Sequence, residues 1–183
     1  SGVMCAVFKK SLRMDPLCSN GSTGEIVNIM SHDTERIFRA LEMHLKMEAF
    51  VEVAFGALRT LSPDPEVRVS IGQLLGAHRV CRAMGLHRQS TSIQRDGCAF
   101  LSNVAVDMEN QVVSIVTFEE LEAVVRAMGD HLRNEAVLAS ACFALKNYTY
   151  EEKNLRALRQ FDEASSLLED ASKYSGSIEC RND

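Results

Sequence analysis

The chain has 183 residues, 46% of them hydrophobic and 25% charged, and a net charge of -5 at pH 7. This makeup argues for a packed globular or repeat domain rather than a disordered chain, and an acidic balance without a Lys/Arg block argues against nucleic acid as a partner. No run of 18 apolar residues occurs, so no membrane span is expected in this chain.

In chain order, Val3 to Leu12 carries apolar residues at helical spacing. Lys9, Lys10 and Arg13 sit near its end, where they suit the helix dipole, and the helix is expected to stop near Met14. Asp15-Pro16 and Ser19-Asn20-Gly21 mark a turn. Ser22-Thr-Gly-Glu25 then fits a capping box, opening a second helix through Ile26, Ile29, Met30, Asp33 and Ile37. Residues 1–38 therefore read as a helical hairpin.

From about residue 38 one pattern repeats. Ala127-Met128 with His131 matches Ala83-Met84 with His87 and Ala40-Leu41 with His44, at steps of 44 and 43 residues. The following helix repeats in step: Ala141-Cys-Phe-Ala-Leu145-Lys-Asn147, Gly97-Cys-Ala-Phe-Leu101-Ser-Asn103 and Ala54-Phe-Gly-Ala-Leu58-Arg-Thr60. A constant spacing under two successive steps marks a true internal repeat. In the third copy, Leu121, Val124, Val125 and Met128 form one helical face, and Val137, Ala141, Ala144, Leu145 and Tyr148 form the next. Gly129 is placed to stop the first helix and Asn134 to cap the second. Ser62-Pro-Asp-Pro65 is a loop leading to a short helix from Val67 to Leu75. Asn110 and Asn154 hold matching turn positions, where the first copy has Val67. A truncated fourth copy opens at Ala164 with Leu167, Leu168 and Ala171, and residues 176–183 form a loose polar tail. Leu167 and Leu168 lack a second helix to cover them, which predicts self-association through the open C-terminal repeat.

Chemistry-bearing residues are few. His44, His87 and His131 recur at one position, but zinc holds its nitrogens at about 2.0–2.1 Å, whereas one ligand per repeat separates them by roughly a helix diameter. A turn or packing role is expected instead. The six cysteines (Cys5, Cys18, Cys81, Cys98, Cys142, Cys180) include no CxxC pair, which suits a reducing compartment and a cytoplasmic location. Cys98 and Cys142 share one place in successive copies, too far apart on stacked helices for a disulfide with each other, and read as small core residues. Glu119-Glu120 and Glu151-Glu152 read as solvated helix ends. No HExxH or G-x-S-x-G string is present, so neither catalysis, a cofactor nor a metal is expected.

The strings Gly97-Cys-Ala-Phe-Leu-Ser-Asn-Val104 and Ala141-Cys-Phe-Ala-Leu-Lys-Asn-Tyr148 resemble the groove helix of armadillo repeats, over about residues 38–175. The resemblance implies an all-α, right-handed α-solenoid of about three armadillo-like repeats plus a truncated fourth. It also implies a scaffold that binds an extended peptide of a protein partner on its concave face. By position it nominates Asn103 and Asn147 for bonding to the peptide backbone and Phe143 for the neighbouring aromatic place. Ala99 replaces that aromatic in the second repeat, and the first has Gly56 and Thr60, which implies weak or partial binding. An Asn amide offers a peptide unit both a donor and an acceptor. Equally, Asn103 and Asn147 could satisfy neighbouring backbone groups near a helix end. Both readings stand.

Val7-Phe-Lys-Lys-Ser-Leu-Arg13 and Ser22-Thr-Gly-Glu-Ile-Val-Asn28-Ile-Met-Ser31-His-Asp33 resemble the first cytoplasmic loop of ABC exporters of the multidrug-resistance-associated (C) subfamily. The alternative expectation is therefore a fragment, or a fused gene model, of an ABC-type transporter that is inactive as this chain alone. In that family a membrane helix would follow Phe38, where this sequence has Glu42, His44, Lys46 and Glu48 instead, and no G-x-x-x-x-G-K-[ST] phosphate loop occurs.

Overall fold

The computed structural model describes residues 23–105 and 117–174, with side chains from 32 to 105 and from 117 to 171. The expected helix up to Met14, the turns that follow it, the position of Asn110 and the polar tail lie outside the described residues. Within them every regular element is an α-helix: α1 Thr23–Met43, α2 Glu48–Leu61, α3 Pro65–Gln73, α4 Gly76–Leu86, α5 Thr91–Ala105, α6 Phe118–Asp130, α7 Glu135–Tyr148, α8 Glu152–Leu158 and α9 Ala164–Tyr174. No described helix is long and apolar enough to cross a membrane.

Local chemistry sets several of the boundaries. Asp64 caps α3 by accepting from the backbone N–H groups of Glu66 and Val67 at 3.0 and 3.1 Å, with Pro65 in the first turn, where its missing N–H costs nothing. Asn134 caps α7 by accepting from Val137 N at 3.1 Å, the role its sequence position suggested. α6 runs one residue past Gly129 and ends at Asp130. α1 is unbroken from Thr23 through Phe38 to Met43. Its last turns are core: Ile37, Phe38 and Leu41 are fully buried, and the Phe38 ring meets that of Phe100 edge-on at 6.3 Å. Gly76 opens α4 directly against this helix. A Cβ there would lie 2.6 Å from Phe38 and 2.7 Å from Ile71, so no larger residue fits without movement.

The helices pack in two rows. α2, α5 and α7 lie side by side in one; α1, α4, α6 and α9 do so in the other, and α1, α4 and α6 each also pack on the helix that follows them across the rows, α2, α5 and α7 respectively. The starts of α2, α5 and α7 are 43 and 44 residues apart, which is the period of the sequence. Both apolar stripes of the third copy are buried, from Leu121 through Met128 and from Val137 through Tyr148. Gly97 lets α5 approach α4, since a Cβ there would sit 2.6 Å from the Met84 sulfur. Leu167 and Leu168 are partly buried, packed against the same core.

The recurring histidines tie one copy to the previous one. His87 Nε2–H donates to the carbonyl of Leu45 at 2.8 Å, and His131 Nε2–H donates to that of Arg88 at 2.7 Å. Each accepting carbonyl belongs to the residue just after the preceding histidine, so both rings are in the same tautomer and do the same job. His44 instead packs its ring against Phe50, with centroids 5.0 Å apart.

Cys98 is a buried free thiol, as is Cys81; burial pushes Cys98 up to about 12 and Cys81 further, so neither is a ready thiolate. Cys142 is also buried, but it is disulfide-bonded, which corrects its reading as a packing residue alone.

Candidate functional site

The row α2, α5, α7 carries all three nominated residues, and the 43- and 44-residue steps put its side chains in register. Glu52, Arg95 and Ala139 correspond; so do Gly56, Ala99 and Phe143, and likewise Thr60, Asn103 and Asn147. Between α5 and α7 the small residues at these positions leave an open cleft of about 240 Å³, lined by Ala99, Ser102, Asn103, Ala139, Ser140 and Phe143. Phe143 is 42% exposed, a large apolar surface held in water, with the Lys146 ammonium 6.0 Å from its ring centroid. Asn103 and Phe143 are thus brought together in one cleft. Asn147 is not in its wall but bonds to Ser102, which is.

Both asparagine amides are already in use. Asn147 Nδ2 donates to Ser102 O at 3.0 Å and to Ser102 Oγ at 2.9 Å. Asn103 Nδ2 donates to Ser62 Oγ at 2.9 Å and, more weakly, to Arg59 O at 3.5 Å. Each amide therefore fastens its helix to the one before it. Their carbonyl oxygens have no hydrogen-bond partner among the described residues, so what either amide can still offer a peptide is an acceptor.

Between α2 and α5 the same face is filled by charge. Asp96, 7% exposed, takes Arg59 Nε at 3.2 Å and Arg95 Nε at 2.8 Å on one carboxylate oxygen. The bond that Arg95 donates to Asp96 is the main reason that it holds its proton even more firmly than usual. One turn earlier, Glu52 accepts from the Ser90 and Ser92 hydroxyls at the start of α5. Sequence reading missed the contacts of Arg59 with Asp96 and of Glu52 with the two serines because their partners lie about 40 residues apart.

A second polar cluster lies between the rows. Glu120 is 9% exposed, which corrects its reading as a solvated helix end. Thr117 is the cap of α6 and Glu120 its third residue, so the two form a capping box. The Thr117 hydroxyl accepts from Glu120 N at 3.4 Å and lies 3.3 Å from the carboxylate. The other carboxylate oxygen accepts from the buried Tyr148 hydroxyl at 3.3 Å. Burial pushes the Glu120 carboxyl up to about 7, against the opposing pull of these bonds. The signal that could have found this cluster is the capping string Thr117-x-x-Glu120; nothing in the sequence says that α7 would bury it. Glu119 does face solvent, 2.8 Å from His78 Nδ1.

No group of three or more His, Cys, Asp or Glu side chains among the described residues could hold a metal ion. No family model, curated protein or solved structure matches the chain.

Proposed function

We propose that this chain is an armadillo-like scaffold. Its two rows of helices would form a right-handed solenoid, and its α2–α5–α7 face would bind an extended segment of a protein partner, with binding centred on the cleft beside Phe143. The observation that carries the reading is that cleft, open to solvent and floored by small side chains, with a large exposed ring at its edge. Such a pocket takes an apolar side chain at little reorganisation cost. Asn103 and Asn147 contribute in a secondary way, accepting from peptide N–H groups through oxygens that no described residue occupies. Two hydrogen bonds worth about 0.5–1.5 kcal/mol each give weak binding on their own. Burial of a side chain against Phe143 therefore has to supply most of the affinity. The reading makes the protein a binder rather than an enzyme, and one that takes no ATP.

Calorimetry on a peptide selected from a random display library tests this. Phe143→Ala should weaken binding by about tenfold or more. Asn103→Ala and Asn147→Ala should each weaken it by a few-fold, and Glu122→Ala on the other row not at all. Equal binding by the Phe143 and Glu122 variants would end the groove assignment, and saturable ATP binding would contradict the reading as a whole.

A further inference from the structure

The charged latch between α2 and α5 has more capacity than its internal bonds use. Arg59 and Arg95 both reach Asp96 through Nε, leaving the terminal Nη groups of two guanidiniums without a hydrogen-bond partner among the described residues. Both side chains are about half exposed, at 50% and 45%, while the carboxylate that anchors them is 7% exposed. Two half-exposed cations are thus set side by side on one buried anion. Guanidinium forks held in place lose little entropy when they meet a carboxylate, and the paired, charge-assisted bonds that result are the strong kind. Arg95 stands one helical turn from Ala99, in the wall of the Phe143 cleft, and the Lys146 ammonium is 6.0 Å from the centroid of the Phe143 ring. Glu52 on the same face accepts from the Ser90 and Ser92 hydroxyls rather than pairing with either arginine.

We infer that the partner segment is acidic: a carboxylate of the partner lies on the Nη groups of Arg59 and Arg95, and an apolar side chain a residue or two away enters the cleft beside Phe143. This rests on the groove reading above and adds the chemistry of what the groove selects. The preference is local, since the chain as a whole is acidic at -5 and repels a generic polyanion.

The test uses the whole chain and a random peptide library, followed by fluorescence titration of the best binder and of two synthetic versions in which its acidic residues are Gln or Lys. Enrichment of Asp and Glu next to an apolar residue is expected, with the Gln version about tenfold weaker and the Lys version weaker still. Affinity for the acidic peptide should also fall as NaCl rises from about 50 to about 300 mM. Arg59→Gln with Arg95→Gln leaves Asp96 buried without a cation, so folding is checked by thermal melting. Arg59→Lys with Arg95→Lys keeps a cation on Asp96 but removes the fork, and should bind the acidic peptide about fivefold more weakly while the Gln version is unaffected. Peptides enriched in Lys and Arg, or without charge bias, would overturn the acidic assignment and leave the groove intact, as would equal loss of the acidic and Gln peptides in the lysine variant. Failure to select any peptide that Phe143→Ala releases would overturn the groove and the inference together.

Discussion

Where α2 lies on α5, the outward positions are occupied by a clasp of charge: Arg59 and Arg95 on Asp96, and Glu52 on two serines. Where α5 lies on α7, the corresponding positions carry Ala139 for Arg95 and Ser140 for Asp96, and the same place on the molecule is an open cleft. The backbone arrangement is shared, and so is the asparagine that ties each helix to its predecessor in the second seam, as Asn147 does, and in the first, as Asn103 does. Three positions in register separate a closed seam from an open one: Arg59, Arg95 and Asp96 in the first are Ser102, Ala139 and Ser140 in the second. Neighbouring seams of one helical stack can therefore differ in their outward side chains without altering the packing, because the leucines that hold the helices together are buried.

Those leucines give the largest expected effect and would break the comparison altogether. Leu101 is fully buried and Leu145 is 4% exposed, each at the same place in its helix. Leu101→Ala should lower unfolding free energy in urea by about 2–5 kcal/mol, as should Leu145→Ala. Leu101 should be the worse of the two, because α5 packs against both α2 and α7 and its collapse loosens both seams. A loss below about 1 kcal/mol at Leu101 would mean that the two seams do not share α5 as a common support.

How much of this was legible in the sequence follows from the range of the interactions. Helical periodicity is local, so the buried faces of α6 and α7 could be read from Leu121, Val124, Val125 and Met128 and from Val137 to Tyr148. The period of 43 to 44 residues was enough to place α2, α5 and α7 in correspondence. The histidines were readable as far as their role, but not their acceptors, which are carbonyls of the preceding copy. What could not be read depends on two side chains meeting across a seam. Nothing local says that Asp96 faces Arg59, that Ser102 takes both protons of the Asn147 amide, or that Tyr148 buries Glu120. The last case is instructive because Val104 stands in α5 where Tyr148 stands in α7, so the repeat pattern itself held no hint of a polar partner.

Glu120, buried between α6 and α7, supplies the next largest effect and lies behind the second seam rather than on its open face. Its carboxyl is raised from 4.5 in the open chain to about 7 in the fold, chiefly by burial, with Glu119 adding to the rise and the bonds from Thr117 and Tyr148 opposing it. The folded chain thus holds this proton more tightly. Its contribution to stability is complete below about 4.5 and is lost as the pH rises through about 7. Each tenfold gain in proton affinity is worth about 1.4 kcal/mol, so the loss reaches roughly 3 kcal/mol. Urea unfolding at a series of pH values should show it as a decline that Glu120→Gln flattens. Parallel pH profiles for the two proteins would show that Glu120 is ionised throughout and stabilised by something other than its proton.

The smallest effect concerns the clasp itself. Asp96→Ala removes a carboxylate that is 7% exposed and takes two guanidiniums. If the partners were equally buried, stranding them would cost several kcal/mol. They are half exposed, however, and water can take over most of what Asp96 gave them. The expected loss is therefore about 1–2 kcal/mol, the worth of charge-assisted bonds discounted for screening. Ser140→Ala at the corresponding position of the second seam should cost less than about 0.5 kcal/mol, since that hydroxyl donates only within its own helix, to Ala136 O at 3.0 Å. Chemical denaturation of Asp96→Ala, of Arg59→Ala and of the variant carrying both, with Ser140→Ala alongside, measures the difference. If the double variant loses as much as the sum of the singles, the charges do not couple and the first seam is closed by bulk alone. If the loss at Asp96 largely disappears once Arg59 is gone, the clasp is held by attraction, and the second seam is open because it lacks that attraction.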